Sequence, residues 1–576
     1  MTIQHAKSDP QQNLLVMCVL SLAVGAIGGL GAWVFRLLIG MFHNLFFLGK
    51  FQLAYDANAH TLENPWGPWV IAVPMIGAVI VAWLVKTFAP EAKGHGVPEV
   101  IDAIHYGRGN IRPVVAAVKS LASAVCIGSG GSVGREGPII QIGSAFGSTL
   151  GQIMRLPTRQ RITLVAAGAA SGIAATFNAP LGGIVFAIEL LLISVNVRTL
   201  LPVATATVTA TYIGRALLGT HPAFDIEPLR ITDFHLESPW GLLLFVPFGL
   251  VMGLASIVFV KGMYWTEDRF DAMPGGAYTR HVFGMTIVGS LLFAMFQWQG
   301  KYYVAGIGYG TIVDVLSGAL TNPAFLLLLC ALKLVATFLT LGSGGSGGIF
   351  SPAMYVGATL GAACGLAIKT ALPEAQVDTL AFALAGMAAM IGASTGAMVT
   401  AAVMLHEMTD DNNVMLPVIT TMILACAVRK HFSPGSIYTI KLLRRGHVVP
   451  EGLQAALDDA RNVSHVMSGS FSVIEAASPL TASPTIATIV VHGGEVQRLV
   501  APGEAPVNRG AEAPGDLVIL APDEPLVDAL RKMKLAKTAC AVVSSRPDSA
   551  RVEDVLGVLS VQEISSYRTE LAELFS

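Results

Sequence analysis

The sequence predicts an all-α, multi-spanning membrane protein built from an internal repeat of broken helices, with a small α/β domain at its C-terminus. Three observations carry this. Of 576 residues, 53% are hydrophobic and only 13% charged, and the mean hydropathy is +0.63; a soluble protein carries nearly twice that charge. A glycine-rich phrase occurs twice, GSGGSVGREGP at 128–138 and GSGGSGGIFSP at 342–352, with seven of eleven positions identical. After Ile440 the long apolar runs stop and a basic cluster begins.

Residues 1–12 read as a polar tail. Apolar windows follow at about 13–39, 69–88, 200–219, 241–262, 281–298 and 415–428, each long enough to cross a bilayer. The first lacks a basic flank and a small-residue cleavage site, so it is expected to remain as a helix. The repeat extends beyond the glycine phrase. GHGVPEVID (94–102) parallels GIGYGTIVD (306–314), and AGAASGIAATFNAPLGGIVFAIE (167–189) parallels AGMAAMIGASTGAMVTAAVMLHE (385–407), pairing Glu189 with Glu407. A lysine stands nine residues before each phrase, Lys119 and Lys333. Three blocks in one order indicate duplication, with halves at about 13–220 and 241–446 inside a membrane domain of 13–446. The blocks do not distinguish an inverted from a parallel pair.

Prolines 98, 138, 180 and 352 are placed at helix starts, where a missing N–H costs nothing. Broken backbone at membrane depth persists only inside protein or along a watery cavity. Five of six cysteines lie in apolar stretches and none has CxxC spacing, so they read as small buried hydrophobes. The net charge of −2 and the lack of a basic, aromatic-interleaved run argue against nucleic acid as a partner.

Arg429, Lys430, Lys441, Arg444 and Arg445 flank the end of the last span, which favours a cytosolic C-terminus. Residues 447–576 read as soluble α/β, divided by a turn-rich stretch at about 501–515. LVILAPDEPLVDALRKMKLAKTACAVVSS reads as strand, helix, strand, with Asp523 as N-cap and a stripe from Leu526 and Leu530. VLGVLS adds a strand before a short terminal helix.

Each glycine phrase opens a helix and leaves N–H groups unpaired at membrane depth. Two helix N-termini together form an anion site without a full cation, and such a site releases what it binds, as conduction requires. The plain alternative, close helix packing through glycine, leaves the paired prolines unexplained. Glu136 is an ionisable group inside the first phrase and a functional candidate by its depth. Ionised, it competes with anions for the same donors; protonated, it lets go, so it can gate. A structural ion pair with Arg135 is the alternative. Glu189 and Glu407 read as structural, capping or pairing with nearby loops. His95 sits at a glycine-flanked break, and Tyr438 reads as an interface anchor. GGSVG and GGSGG match a nucleophile-elbow pattern cheaply, without histidine or aspartate partners; GSGGSG lacks the βαβ setting of a dinucleotide loop. Enzyme chemistry is therefore not expected.

With GREGP (134–138), GGIFSP (347–352), FNAPLGGIVFAIE (177–189), EMTD (407–410) and Tyr438, residues 13–446 closely resemble the CLC family of chloride channels and chloride/proton exchangers. The resemblance implies an inverted repeat, a homodimer and one anion pathway per subunit. It makes Glu136 the gate of an outer site helped by the amides around Arg135 to Gly137. It directs the amides of Ile349 and Phe350, and the Tyr438 hydroxyl, at a central anion. Two departures stand out. His95 replaces the family's usual serine beside the central anion, which bears on selectivity and pH dependence. Leu190 replaces the glutamate that proton-coupled members carry just after Glu189, which favours a passive channel over an antiporter. A cation-coupled organic-solute transporter would need a carboxylate-rich ion site, and the sequence shows none. The tail, 447–576, resembles a CBS pair. GVLSVQE (557–563) resembles that module's nucleotide-contacting string, with Ser560 in place and Glu563 replacing the usual acid or amide, so adenine nucleotide is the ligand it would take; no other cofactor is implied. The plasma (inner) membrane is the expected location.

Overall fold

The structure, a computed structural model, describes residues 13–219, 239–373, 377–409, 414–433, 435–447, 449, 462–475, 486–500, 517–524, 526–536, 538–546, 551–561 and 563–564. The chain divides into two units, Met1–Leu453 and Gln454–Ser576. The turn-rich stretch at 501–515, the tail at 1–12 and Asp410 lie outside the described residues.

In the first unit, one repeat holds α1 (Leu14–His43), α2 (Ala72–Phe88), α3 (Val97–His105), α4 (Val114–Gly128), α5 (Glu136–Ile153), α6 (Thr158–Phe177), α7 (Pro180–Phe186) and α8 (Val197–Leu218). The other holds α9 (Phe245–Ala272), α10 (Ala277–Gln299), α11 (Tyr309–Leu316), α12 (Pro323–Gly342), α13 (Phe350–Ala371), α14 (Thr379–Thr395), α15 (Met398–Thr409) and α16 (Met415–Phe432). A last short helix, α17 (Ile437–Arg444), carries Tyr438. Each helix has its counterpart eight later, and the packing repeats: α5 on α6 as α13 on α14, and α1 on α8 as α9 on α16.

Small residues set this packing. Gly143 of α5 and Gly168 of α6 face each other so closely that a Cβ on either would strike the other's carbonyl. Gly357 of α13 and Gly386 of α14 repeat the contact. Close backbone approach through small residues is how helices associate where lipid removes the hydrophobic drive.

Among the described residues, seven helical stretches are long and apolar enough to cross a membrane: 14–48, 67–88, 241–272, 277–299, 323–342, 350–371 and 415–444. Two of these, α12 and α13, are not among the windows read from the sequence. Lys333 interrupts the first, and the second is rich in alanine and glycine because 72% of its window is buried in protein rather than lipid. The 200–219 window forms α8, whose threonines turn their hydroxyls back onto carbonyls four residues earlier, as Thr205, Thr207, Thr209 and Thr211 do. That local bond makes a polar side chain tolerable at depth.

The repeats are inverted. Glu189, just past the end of α7, accepts from the N–H groups of Val399 and Thr400 at the start of α15. Glu407, near the end of α15, accepts from those of Leu181 and Gly182 at the start of α7. Two equivalent helices that cap each other's beginnings must run antiparallel, so their two-fold axis lies across the helices. These carboxylates are the structural caps expected, but each acts on the other repeat, not on its own next loop.

The second unit contains two three-stranded sheets. In the first, β1 (Phe471–Glu475) pairs parallel with β2 (Ala487–His492), and β2 pairs antiparallel with β3 (Glu495–Val500). In the second, β4 (Ile519–Leu520) pairs parallel with β5 (Cys540–Ser544), and β5 antiparallel with β6 (Val555–Ser560). Side chains alternate across β5. Ala541 and Val543 join Ala529 and Met533 of α18 (Leu526–Leu535), while Val542 joins Ile489 and Val491 of β2. The described part of α18 starts at Leu526, and the residue before it lies outside the described residues, so the expected Asp523 cap falls beside an undescribed position. No helix separates β1 from β2 among the described residues. None of the six cysteines is in a disulfide.

Candidate anion-binding site

Both glycine phrases fold by the same local rule. Gly130 (φ 96°) and Gly344 (φ 123°) take backbone that a side chain disfavours. The N–H of Gly131 returns to Cys126 and that of Gly345 to Thr340, each at 2.9 Å, which ends α4 and α12. The chain then reverses into α5 and α13, whose third residues, Pro138 and Pro352, have no N–H to leave unpaired. The two phrases clasp each other: Gly134 donates to Gly348 at 2.7 Å and Gly348 back to Gly134 at 2.6 Å. Gly137 packs so near that a Cβ would lie 3.1 Å from the Gly348 Cα.

A third loop joins them. Gly94 donates to Gly345 at 2.9 Å, so the starts of α3, α5 and α13 converge. The two repeated lysines hold loops in place. Lys119 donates to the carbonyls of Ala92 (3.0 Å) and Gly94 (2.7 Å), and Lys333 to those of Val304 (3.3 Å) and Gly306 (2.9 Å). Both ammonium groups are fully buried, and each adds positive potential behind a loop. The N–H groups of Arg135, Glu136, Gly137, Ile349 and Phe350 have no acceptor among the described residues. Unpaired amides at two facing helix starts, inside protein, are an anion cradle.

Glu136, 1% exposed, lies in that cradle. One carboxylate oxygen accepts from the Tyr309 hydroxyl at 2.7 Å and from the Ser351 hydroxyl. The other accepts from the Ser351 N–H at 3.4 Å, at the start of α13. The carboxylate thus reaches from one helix start to the opposite one. Arg135 makes no ion pair with it among the described residues; its guanidinium lies 5.3 Å from the Tyr309 ring. The sequence reading missed Tyr309 and Ser351. Tyr309 lies within the repeated GIGYG block and Ser351 within GGIFSP, but neither block says that its hydroxyl meets Glu136.

His95 and Tyr438 come together on the far side of the third loop. Their rings are 5.9 Å apart, and they are 3% and 2% exposed. The His95 Nδ1 is buried without a partner, which suits a side chain facing a guest. The His95 carbonyl lies hard against Gly137, so the His95 loop and the Glu136 helix start share one wall. The Tyr264 hydroxyl donates to the Ile437 carbonyl and fixes the start of α17. Beside Gly94, a cavity of about 380 Å³ is lined by Pro90, Glu91, Lys93, Glu99, Glu267, Lys441 and Arg445. Leu190 lies in a π-turn after α7 and packs against the apolar core.

In the second unit, the Glu563 carboxylate accepts from the Ser560 N–H at 2.7 Å, and the Ser560 hydroxyl from the Glu563 N–H at 3.1 Å. This reciprocal pair is a capping box.

Comparison with known proteins agrees with this architecture. The family model described as voltage gated chloride channel matches residues 77–430. The chain is 32% identical to the H(+)/Cl(-) exchange transporter ClcA of Cronobacter sakazakii, covering 70% of this chain and 87% of the relative. It is 30% identical to ClcA of Salmonella paratyphi B, covering 75% and 89%. Among solved structures, a slow cyanobacterial Cl-/H+ antiporter superposes with a TM-score of 0.64 at 24% identity, over 74% of this chain and 97% of that one. A eukaryotic CLC transporter gives 0.63 at 17% identity, over 96% and 98%. The chain is an integral membrane protein of the CLC family of voltage-gated chloride channels and chloride transporters.

Proposed function

We propose that this chain exchanges chloride for protons, with Glu136 as the group that both gates the anion and carries the proton. The observation behind this is the Glu136 carboxylate held by donors at the start of α13. A carboxylate there and an anion compete for one cradle, and a proton relieves the competition. Leu190 favours a passive channel. The curated relatives at 30–32% identity, which are named as exchangers, outweigh that single position. The cavity beside Gly94 offers water a way toward the His95 loop that does not use position 190.

In this reading the N–H groups of Ile349 and Phe350, the Tyr438 hydroxyl and His95 hold a central anion, and the amides of Arg135 to Gly137 help hold an outer one. The protein works as a homodimer in the plasma (inner) membrane with its C-terminus in the cytosol. Residues 447–576 act as a CBS-like regulatory module after a membrane domain of 13–446. A dimer-stabilising role for that module is the plainer reading beside adenine-nucleotide binding. The test is chloride efflux from proteoliposomes, recorded together with proton uptake. Coupled uptake that vanishes in Glu136→Gln supports the proposal, and chloride efflux without proton movement contradicts it.

A further inference from the structure

We infer that Tyr309 and Ser351 are ligands of the outer anion as well as of the Glu136 carboxylate, so that the outer site of this chain is lined by hydroxyls and not by amides alone. This rests on the anion-transport reading above.

The argument starts from burial. Tyr309 is 1% exposed, and Ser351 and Glu136 are equally enclosed. The Tyr309 and Ser351 hydroxyls both donate to the same carboxylate oxygen, and the hydroxyls are 3.4 Å from each other. The Ser351 N–H addresses the other oxygen. When the carboxylate leaves, the two hydroxyls can make one bond between them, with Ser351 donating to Tyr309, and the Ser351 N–H loses the acceptor that it addressed. A buried donor without its acceptor is costly. A monatomic anion arriving in the same place satisfies all three at once. Arg135, over the Tyr309 ring, and Lys333, whose ammonium lies behind the Gly306 loop that precedes Tyr309, add positive potential without occupying the pocket.

The hydroxyls therefore serve both occupants, and this gives a signature that a purely structural role does not. Removing a hydroxyl weakens carboxylate and anion alike, so the two losses offset while Glu136 is present. Without the carboxylate only the anion's loss remains. A donor that merely positions Glu136 would behave in the opposite way.

The experiment uses the purified full-length protein in two backgrounds, native and Glu136→Ala. In Glu136→Ala, chloride binding is titrated by calorimetry with and without Tyr309→Phe and Ser351→Ala. Each change is expected to weaken chloride binding about tenfold, the usual share of one hydrogen bond to a charged group, while Ser351→Thr, which keeps the hydroxyl, stays within twofold. In the native background the same changes are expected to weaken chloride binding by a smaller factor than in Glu136→Ala, because the competing carboxylate is weakened as well. Unchanged chloride affinity in Glu136→Ala, or a larger loss of affinity in the native background than in Glu136→Ala, overturns the proposal. If Tyr309→Phe does not fold, the contrast between Ser351→Ala and Ser351→Thr decides it. If Glu136→Ala itself binds and passes neither chloride, bromide, nitrate nor fluoride, it is the anion-transport reading that fails.

Discussion

Glu189→Ala removes the cap that one repeat places on the other. The Glu189 carboxylate is 3% exposed and accepts from Val399 N–H at 3.2 Å, Thr400 N–H at 2.9 Å and the Thr400 hydroxyl at 2.8 Å. The hydroxyl can rotate to another acceptor, but the two amides cannot. Each buried donor left unpaired costs about 1–3 kcal/mol. Taking the lower part of that range for each of the two amides, the sum is about 3 kcal/mol. That amounts to roughly a hundredfold in the local opening of α15. Hydrogen exchange of peptides spanning 398–405 reads this directly. Glu189→Gln keeps one acceptor oxygen and should lose only about tenfold in protection. Glu407 caps Leu181 (3.0 Å) and Gly182 (2.7 Å) in a more exposed setting, so Glu407→Ala should lose about fivefold, in peptides spanning 181–186. If protection at 398–405 in Glu189→Ala stays within threefold of the native protein, the cross-capping account is wrong.

Three further outcomes follow from the same contacts. Lys119→Met removes the ammonium donor from the carbonyls of Ala92 and Gly94, which keep the Ser346 hydroxyl and the Gly347 N–H as donors; stability should fall by about 1–2 kcal/mol, and chloride affinity should fall with it because one tie of the His95 loop is lost. Gly168→Ala drives a methyl into the Gly143 carbonyl and should cost about 3 kcal/mol or prevent folding, whereas Gly276→Ala meets nothing within 4 Å and should stay within about 0.5 kcal/mol; thermal unfolding in detergent compares them. Glu136→Gln cannot ionise, so chloride flux through it, measured in liposomes, should depend less on pH than flux through the native protein.

Much of the fold was legible because duplication writes each feature twice. The paired glycine phrases, the prolines at helix starts, and Lys119 with Lys333 each marked one end of a loop that the structure brings to the centre. Contacts between repeats were not legible. Glu136 meets Tyr309 and Ser351 across 173 and 215 residues, and Glu189 meets Thr400 across 211; local pattern carries no information over such separations. Of the two spans that were not read from the sequence, α12 is strongly apolar on either side of Lys333, whereas α13 is less apolar because much of it is surrounded by protein rather than lipid. The meeting of His95 with Tyr438 was legible only through family resemblance. Inversion of the repeats needed the antiparallel caps of α7 and α15 to be seen.

The most direct test of proton-coupled chloride transport is the reversal potential of the purified protein in liposomes under a fixed chloride gradient, with and without a proton gradient. The account predicts that imposing the proton gradient displaces the reversal potential from the chloride equilibrium value, and that Glu136→Gln abolishes the displacement. A potential that follows chloride alone in the native protein would contradict exchange and make Leu190 the mark of a passive channel.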